Sequence, residues 1–460
     1  MARDTTDDTE IKDVEALADY LAQGCKPADQ WRIGTEHEKF PFYVKDLRPV
    51  PYEGDNGICG IRALLEGMQA QLQWQPIMDE GRLIGLAEPQ GRGAISLEPG
   101  GQFELSGAPL ANVHETAAEV ETHFSHLRKV AEPLGIGFLG LGASPLWTLA
   151  ETPVMPKSRY RIMTGYMPRV GTLGLDMMYR TATIQVNLDF ASETDMRRKM
   201  QVAMKLQSVA TALFACSPFT EGKPNGFLSW RSQIWRDTDN DRAGVLPFVF
   251  SPDFGFADYV EWALDVPMYF VLRDGHYHDV TDVTFRQFMA GALKGRLEQG
   301  RPTMGDWVNH ISTLFPEVRL KRFLEMRGAD DSSRAHISAL SAYWVGLLYD
   351  TAALDAAENL TRDWRLDEVQ ALRDAVPVQA LQTPFRTTTV LELARETLKI
   401  ARMGLRNRAR LNSTGKDETH YLDVLDTVVE KGRTQAEIML ADYHQRWHDS
   451  VLPVFKDYAL

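Results

Sequence analysis

The sequence predicts an α+β fold, a mainly antiparallel sheet with helices packed on one side. Three observations predict it. Arg180 to Phe190 alternates strictly: Thr181, Thr183, Gln185, Asn187 and Asp189 point one way, and Ala182, Ile184, Val186, Leu188 and Phe190 the other. Period two is the signature of a strand with two chemically distinct faces. Ala94 to Ser106 reads as strand–turn–strand, broken by Pro99, Gly100 and Gly101. After Ser333 the pattern is nearly all helical, and nowhere does strand alternate regularly with helix as a parallel sheet requires.

In chain order, residues 11–24 have the apolar spacing of a surface helix, Trp31 to Val44 reads as one strand, and residues 61–72 look helical. Leu110, Val113, Ala117, Val120, Phe124, Leu127 and Val130 recur at helical spacing and predict a long amphipathic helix. Residues 134–142 form a glycine-rich apolar strand. Ser192 with Asp195 three residues on resembles a capping box, opening a helix that runs to about Ala215. Shorter strands are expected near 266–272 and 322–328, then helices over 336–349, 366–375, 389–406 and 418–446. At roughly 150 residues per domain, 460 residues allow about three domains. The chemistry-bearing segments are scattered from the N-terminal region to the middle, however, so a single catalytic domain over residues 1–460 is expected.

The net charge of −13 argues against a nucleic-acid partner, which needs a basic patch. Acidity would also repel anionic substrates unless bound cations reverse the local field. Cys25, Cys59 and Cys216 are widely spaced and form no C-x-x-C, so they read as reduced thiols rather than a zinc site or disulfide framework. The N-terminus is polar and acidic, unlike a signal or transit peptide, and no apolar run reaches the ~18 residues of a membrane span. A cytoplasmic protein is expected.

Carboxylates gather on the polar strand faces. Glu36 and Glu38 lie two apart and share a face, where two like charges repel unless a cation sits between them. A solvent-exposed charged edge explains that pair equally well. If Pro99 to Gly101 make a three-residue hairpin loop, Glu98, Gln102 and Glu104 share one face while Leu97, Phe103 and Leu105 share the other. Thr183, Gln185 and Asn187 supply a third polar face, and Glu325 with Arg327 a fourth. Oxygen ligands without Cys suit hard cations such as Mg²⁺ or Mn²⁺, which bridge to substrate phosphates. Ordinary exposed strand faces are the alternative.

Other motifs are set aside. Gly135-Ile-Gly-Phe-Leu-Gly140 matches G-x-G-x-x-G but follows a helix, so a buried glycine-rich strand is preferred. No P-loop signature occurs, and His276 and His278 read as exposed loop histidines. Around Trp230, Arg231, Trp235 and Arg236 two indoles and two guanidiniums sit together without a clean period. Such a group could shield a bidentate Arg–carboxylate pair or simply form a Trp-rich turn.

Seven stretches taken together resemble the plant-type glutamate–cysteine ligases, also found in proteobacteria. They are Trp31–Phe40, Ser96–Ser106, Arg180–Phe190, Ser217–Gly226, Phe315–Arg322, Glu325–Asp330 and Trp344–Tyr349. The resemblance implies a glutamine-synthetase-like curved, mostly antiparallel sheet forming a funnel lined with metal ligands, with helices outside. It implies ATP as co-substrate, Mg²⁺ or Mn²⁺, and small-molecule substrates L-glutamate and L-cysteine joined through a γ-glutamyl phosphate. On it, Glu36, Glu38, Glu104 and Glu325 are expected metal ligands, with Glu98, Gln185 and Asn187 beside them. Arg327 is expected to stabilise the transferring phosphoryl group, with Lys321 and Arg322 as further ATP contacts. Arg231, Trp235 and Thr183 are expected to hold the substrate. A related ligase joining glutamate to another amine is the alternative, and a monomer or homodimer is expected. Plant members carry regulatory disulfides; at the matching places this chain has Ala117, Ser338, Val280 and Gly295, so neither bridge can form.

Overall fold

The computed structural model describes residues 5–55, 57–298 and 300–460. Its centre is an eight-stranded sheet: β1 (Ile33–His37), β2 (Gln75–Asp79), β3 (Arg82–Ala87), β4 (Ala94–Leu97), β5 (Phe103–Ser106), β6 (Thr183–Leu188), β7 (Val318–Leu320) and β8 (Leu324–Asp330). The spatial order is β7-β8-β6-β1-β5-β4-β3-β2, and every neighbouring pair is antiparallel. The expected α+β class is the observed one.

Alternation decides which face goes inward. Ile184, Val186 and Leu188 on β6 are completely buried, as are Ile33 on β1 and Phe103 on β5. Each such side chain removed from water contributes roughly 1.5–3 kcal/mol. Helices α1 (Val113–Ala131), α2 (Glu193–Leu213) and α3 (Arg334–Leu348) cover this apolar side, and α4 (Val390–Arg408) packs over α3. The α3–α4 crossing is close: a Cβ on Gly404 would lie 1.9 Å from the Gly346 carbonyl oxygen. The opposite face carries the polar residues.

Two expectations are corrected. Trp31 to Val44 is not one strand. Strand β1 ends at His37, and Phe40–Tyr43 pairs instead with Ile136–Leu139. Just past that end Glu38 meets Thr183 twice: the Thr183 carbonyl accepts from the Glu38 N–H at 3.1 Å, and the Thr183 N–H donates to the Glu38 carboxylate at 3.0 Å. The helix expected over 418–446 is three pieces, Glu418–Leu422, Asp423–Lys431 and Gln435–Gln445. Gly432 turns the chain with φ of 59°, and Thr434 with Glu437 caps the next helix. The G-x-G-x-x-G segment is a buried strand, Ile136–Leu139, as expected.

Candidate active site

Register brings the polar residues together. Glu36 on β1 lies opposite Gln185 on β6 and Ser106 on β5, while Asn187 on β6 lies opposite Glu325 on β8. Glu98 and Gln102 close the β4–β5 turn, where Gly101 takes φ of 88°. Glu36, Glu38, Glu98, Glu104, Gln185, Arg319 and Arg327 line one cleft of about 610 Å³. An adjoining lobe of about 530 Å³ adds Thr183, Arg231 and Trp235 beside Met163, Met177 and Met178.

The site has an anionic and a cationic bank. On the anionic side, burial pushes the Glu38 carboxyl well above the usual carboxylate range, and Glu98 and Glu104 push it further. Glu36 is raised by burial, then by Glu325 and Glu104. Asn187 donates to Glu36 at 2.8 Å, whereas Ser96 and Ser106 donate to the two oxygens of Glu104 at 2.5 and 2.8 Å. On the cationic side, burial opposes ionisation of Glu325, but Arg319, Lys321 and Arg327 outweigh it and hold the carboxyl well below its usual range. Arg319 lies 2.5 Å and Lys321 2.8 Å from that carboxylate, and Arg327 bonds both Glu325 and Gln185.

The expected residues therefore do not all stand alike. Glu36, Glu38, Glu98, Glu104 and Gln185 face the cleft, whereas Asn187 supports Glu36, and Glu325 lies buried beneath three cations. The Thr183 hydroxyl is engaged with the Ala329 carbonyl at 2.7 Å, so this residue acts on the cleft chiefly through Glu38. Arg322 is misplaced by the sequence reading. It is exposed, bonds Tyr20 and Gln23, and stacks on the Tyr20 ring at 4.2 Å. Lys321 and Arg322 lie in the bend between β7 and β8, where Lys321 turns inward to Glu325 and Arg322 turns outward to Tyr20 and Gln23. Arg319 on β7, which the sequence reading overlooks, joins Lys321 at the Glu325 carboxylate. Tyr160, also overlooked, meets Glu98 at 3.4 Å from a segment with no strand alternation to flag it.

The donor set fits a hard cation. Four carboxylates face one cleft with no Cys among them, and two of them are raised by burial and then by their acidic neighbours. Among the described residues no three His, Cys, Asp or Glu are grouped closely enough to hold a metal ion by themselves. Mg²⁺ usually keeps waters and shares its ligands with substrate phosphates, so these carboxylates would supply only part of its shell. Arg231 is buried and donates to the Arg327 carbonyl at 2.9 Å; among the described residues neither its Nε nor the buried Trp235 indole N–H has a hydrogen-bond partner. Two such donors on one lobe suit an acidic ligand.

A mostly antiparallel sheet bearing a carboxylate bank beside a guanidinium bank defines an α+β protein with a site for anionic ligands. The family described as glutamate-cysteine ligase family 2 matches residues 32–457. Glutamate–cysteine ligase A, chloroplastic, of Oryza sativa subsp. indica is 52% identical over 452 residues, covering 98% of this chain and 88% of that one. The chloroplastic glutamate–cysteine ligase of Arabidopsis thaliana is 54% identical over 446 residues, covering 96% and 82%. The solved glutamate–cysteine ligase of Francisella tularensis, in complex with AMP, shares the fold at a TM-score of 0.54 with 12% identity, covering 93% of this chain and 89% of that one. The chain belongs to glutamate–cysteine ligase family 2 and joins glutamate to cysteine, the first step of glutathione biosynthesis. The expectation of a cytoplasmic protein does not stand, because these curated relatives are named chloroplastic. Among the described residues no helix is long and apolar enough to cross a membrane.

Proposed function

We propose that the two banks divide the ligation between them, within a single catalytic domain spanning residues 1–460. Glu36, Glu38, Glu98 and Glu104, with Gln185, would hold Mg²⁺ or Mn²⁺, and Asn187 and Glu325 complete the polar floor. When bound, that cation neutralises phosphate charge. Arg231 and Trp235 hold the glutamate substrate, with Thr183 fixing Glu38 at the edge of the same lobe. A γ-carboxylate oxygen of glutamate attacks the γ-phosphorus of ATP, ADP leaves, and γ-glutamyl phosphate forms. The cysteine amine nitrogen then attacks the acyl carbon, and the carbon–oxygen bond to phosphate breaks. Arg319, Lys321 and Arg327 face the charge that develops on the transferring phosphoryl group.

The carrying observation is Glu325 with three cations around it. A buried carboxylate keeps those cations aligned before nucleotide arrives, so little reorganisation remains for the reaction. Purified protein with glutamate, cysteine, ATP and Mg²⁺ should release one phosphate per γ-glutamylcysteine formed. Phosphate release that continues undiminished when glutamate or cysteine is left out would overturn this reading.

A further inference from the structure

The carboxylate of Asp330, the last residue of β8, lies outside the metal and phosphate assignments and is completely buried. It accepts three hydrogen bonds, all from the segment that leads to Arg231. The Cys216 N–H and the Ser217 hydroxyl reach Oδ2 at 2.9 and 2.7 Å, and the Ser229 hydroxyl reaches Oδ1 at 2.9 Å. Both serines are themselves buried.

An ionised carboxylate can only accept hydrogen bonds. Each serine points its single proton at Asp330, which leaves the oxygen lone pairs facing the other way. Those oxygens accept from the backbone N–H of Arg231 and of Ser232, both at 3.2 Å. The first turn of the short helix Trp230–Ile234 is thus oriented by a relay that begins at Asp330. The strand that starts the relay also carries Arg327, whose carbonyl receives the Arg231 guanidinium. Asp330 has no room to swing away, since a Cβ on Gly142 would lie 2.2 Å from its Cγ.

We propose that Asp330, acting through Ser217 and Ser229, is the positioning residue that fixes Arg231 for the glutamate substrate. The inference rests on the assignment of Arg231 to glutamate. An amide at 330 presents N–H groups to hydroxyls and an N–H that already donate, so the relay loses its direction.

The test is steady-state kinetics on Asp330→Asn, the double variant Ser217→Ala with Ser229→Ala, and Arg231→Ala, each first shown to be folded by thermal denaturation. A lost hydrogen bond to a charged group predicts a glutamate KM raised about tenfold or more in the first two, with the ATP KM within about twofold of wild type. If Asp330→Asn does not fold, the serine variant decides. If Arg231→Ala leaves the glutamate KM unchanged, the assignment of Arg231 fails and the proposal with it. If Arg231→Ala raises it while the serine variant stays within about twofold of wild type, the proposal alone fails. Equal rises in the glutamate and ATP KM values would also overturn it, because they mark general collapse of the site rather than loss of one positioned group.

Discussion

Changing Glu325 and changing Glu38 to glutamine should affect the stability of the apo protein in opposite senses, although both carboxylates belong to one site. Glu325 is completely buried and faces Arg319 at 2.5 Å, Lys321 at 2.8 Å and Arg327. Removing its charge leaves two buried cations, Arg319 and Lys321, and the half-buried Arg327 without their shared anion. Breaking a buried pair from one side costs about 3–5 kcal/mol, and that is the loss expected for Glu325→Gln. The Glu325 carboxyl is held below its usual range in the fold, so its contribution is present above the unfolded carboxyl pKa and disappears as pH falls through the lower folded value. Measurements near pH 7.5 therefore see all of it. The Glu38 carboxyl is pushed upward by burial, Glu98 and Glu104, so its ionisation works against folding, and Glu38→Gln should leave stability unchanged or raise it. Urea denaturation of the three metal-free proteins measures both effects. ATP, whose phosphates can replace the missing anion, should stabilise Glu325→Gln more than wild type. A Glu325→Gln variant as stable as wild type, or a Glu38→Gln variant that loses as much as it does, would refute the division into two charge banks.

Three further outcomes are expected. Arg322→Ala should leave kcat and the ATP KM within about twofold of wild type, because its guanidinium rests on Tyr20 and Gln23; a tenfold rise in the ATP KM would return it to the site. Burial pushes His310 down to about 3 and His336 to about 4, so between pH 7 and 5.5 the unfolded chain takes up protons that the fold refuses. That difference should remove about 2–3 kcal/mol of stability across the interval, and replacing both residues with Gln should flatten the pH slope by that amount; an unaltered slope contradicts it. Cys25, Cys59 and Cys216 are all free thiols, with Cys216 buried and its thiol pushed upward by burial, so mild oxidation should not alter activity once cysteine substrate is kept reduced. A reversible several-fold loss that a Cys→Ser change abolishes would reveal a thiol switch.

The parts legible in the sequence were those set by local periodicity. The opposed chemistry of Thr183, Gln185 and Asn187 against Ile184, Val186 and Leu188 defines β6 and both its faces without help from the rest of the chain. The contiguous helix Ile61–Leu72 is read with the same ease. Register was not legible: that Asn187 stands opposite Glu325 is decided by pairing between strands far apart in the chain, and no local pattern encodes it. That Glu38 meets Thr183 and Lys39 pairs with Phe103 is likewise decided by partners remote in sequence. Another miss left a usable signal. Thr434 three residues before Glu437 announces a new helix inside 418–446.

The outer strand β2 has a consequence for self-association. It carries Pro76, which lacks an N–H, and its register with β3 shifts between Ile77 and Met78. Proline and a bulge are the devices by which an open sheet margin refuses a further strand. At the other margin β7 offers only three residues, all buried. Among the described residues, neither margin of the central sheet offers a continuous rim along which the central sheets of two copies could join. Fusions placed beyond β2 should accordingly remain dispersed where an unguarded strand would promote fibrous stacking.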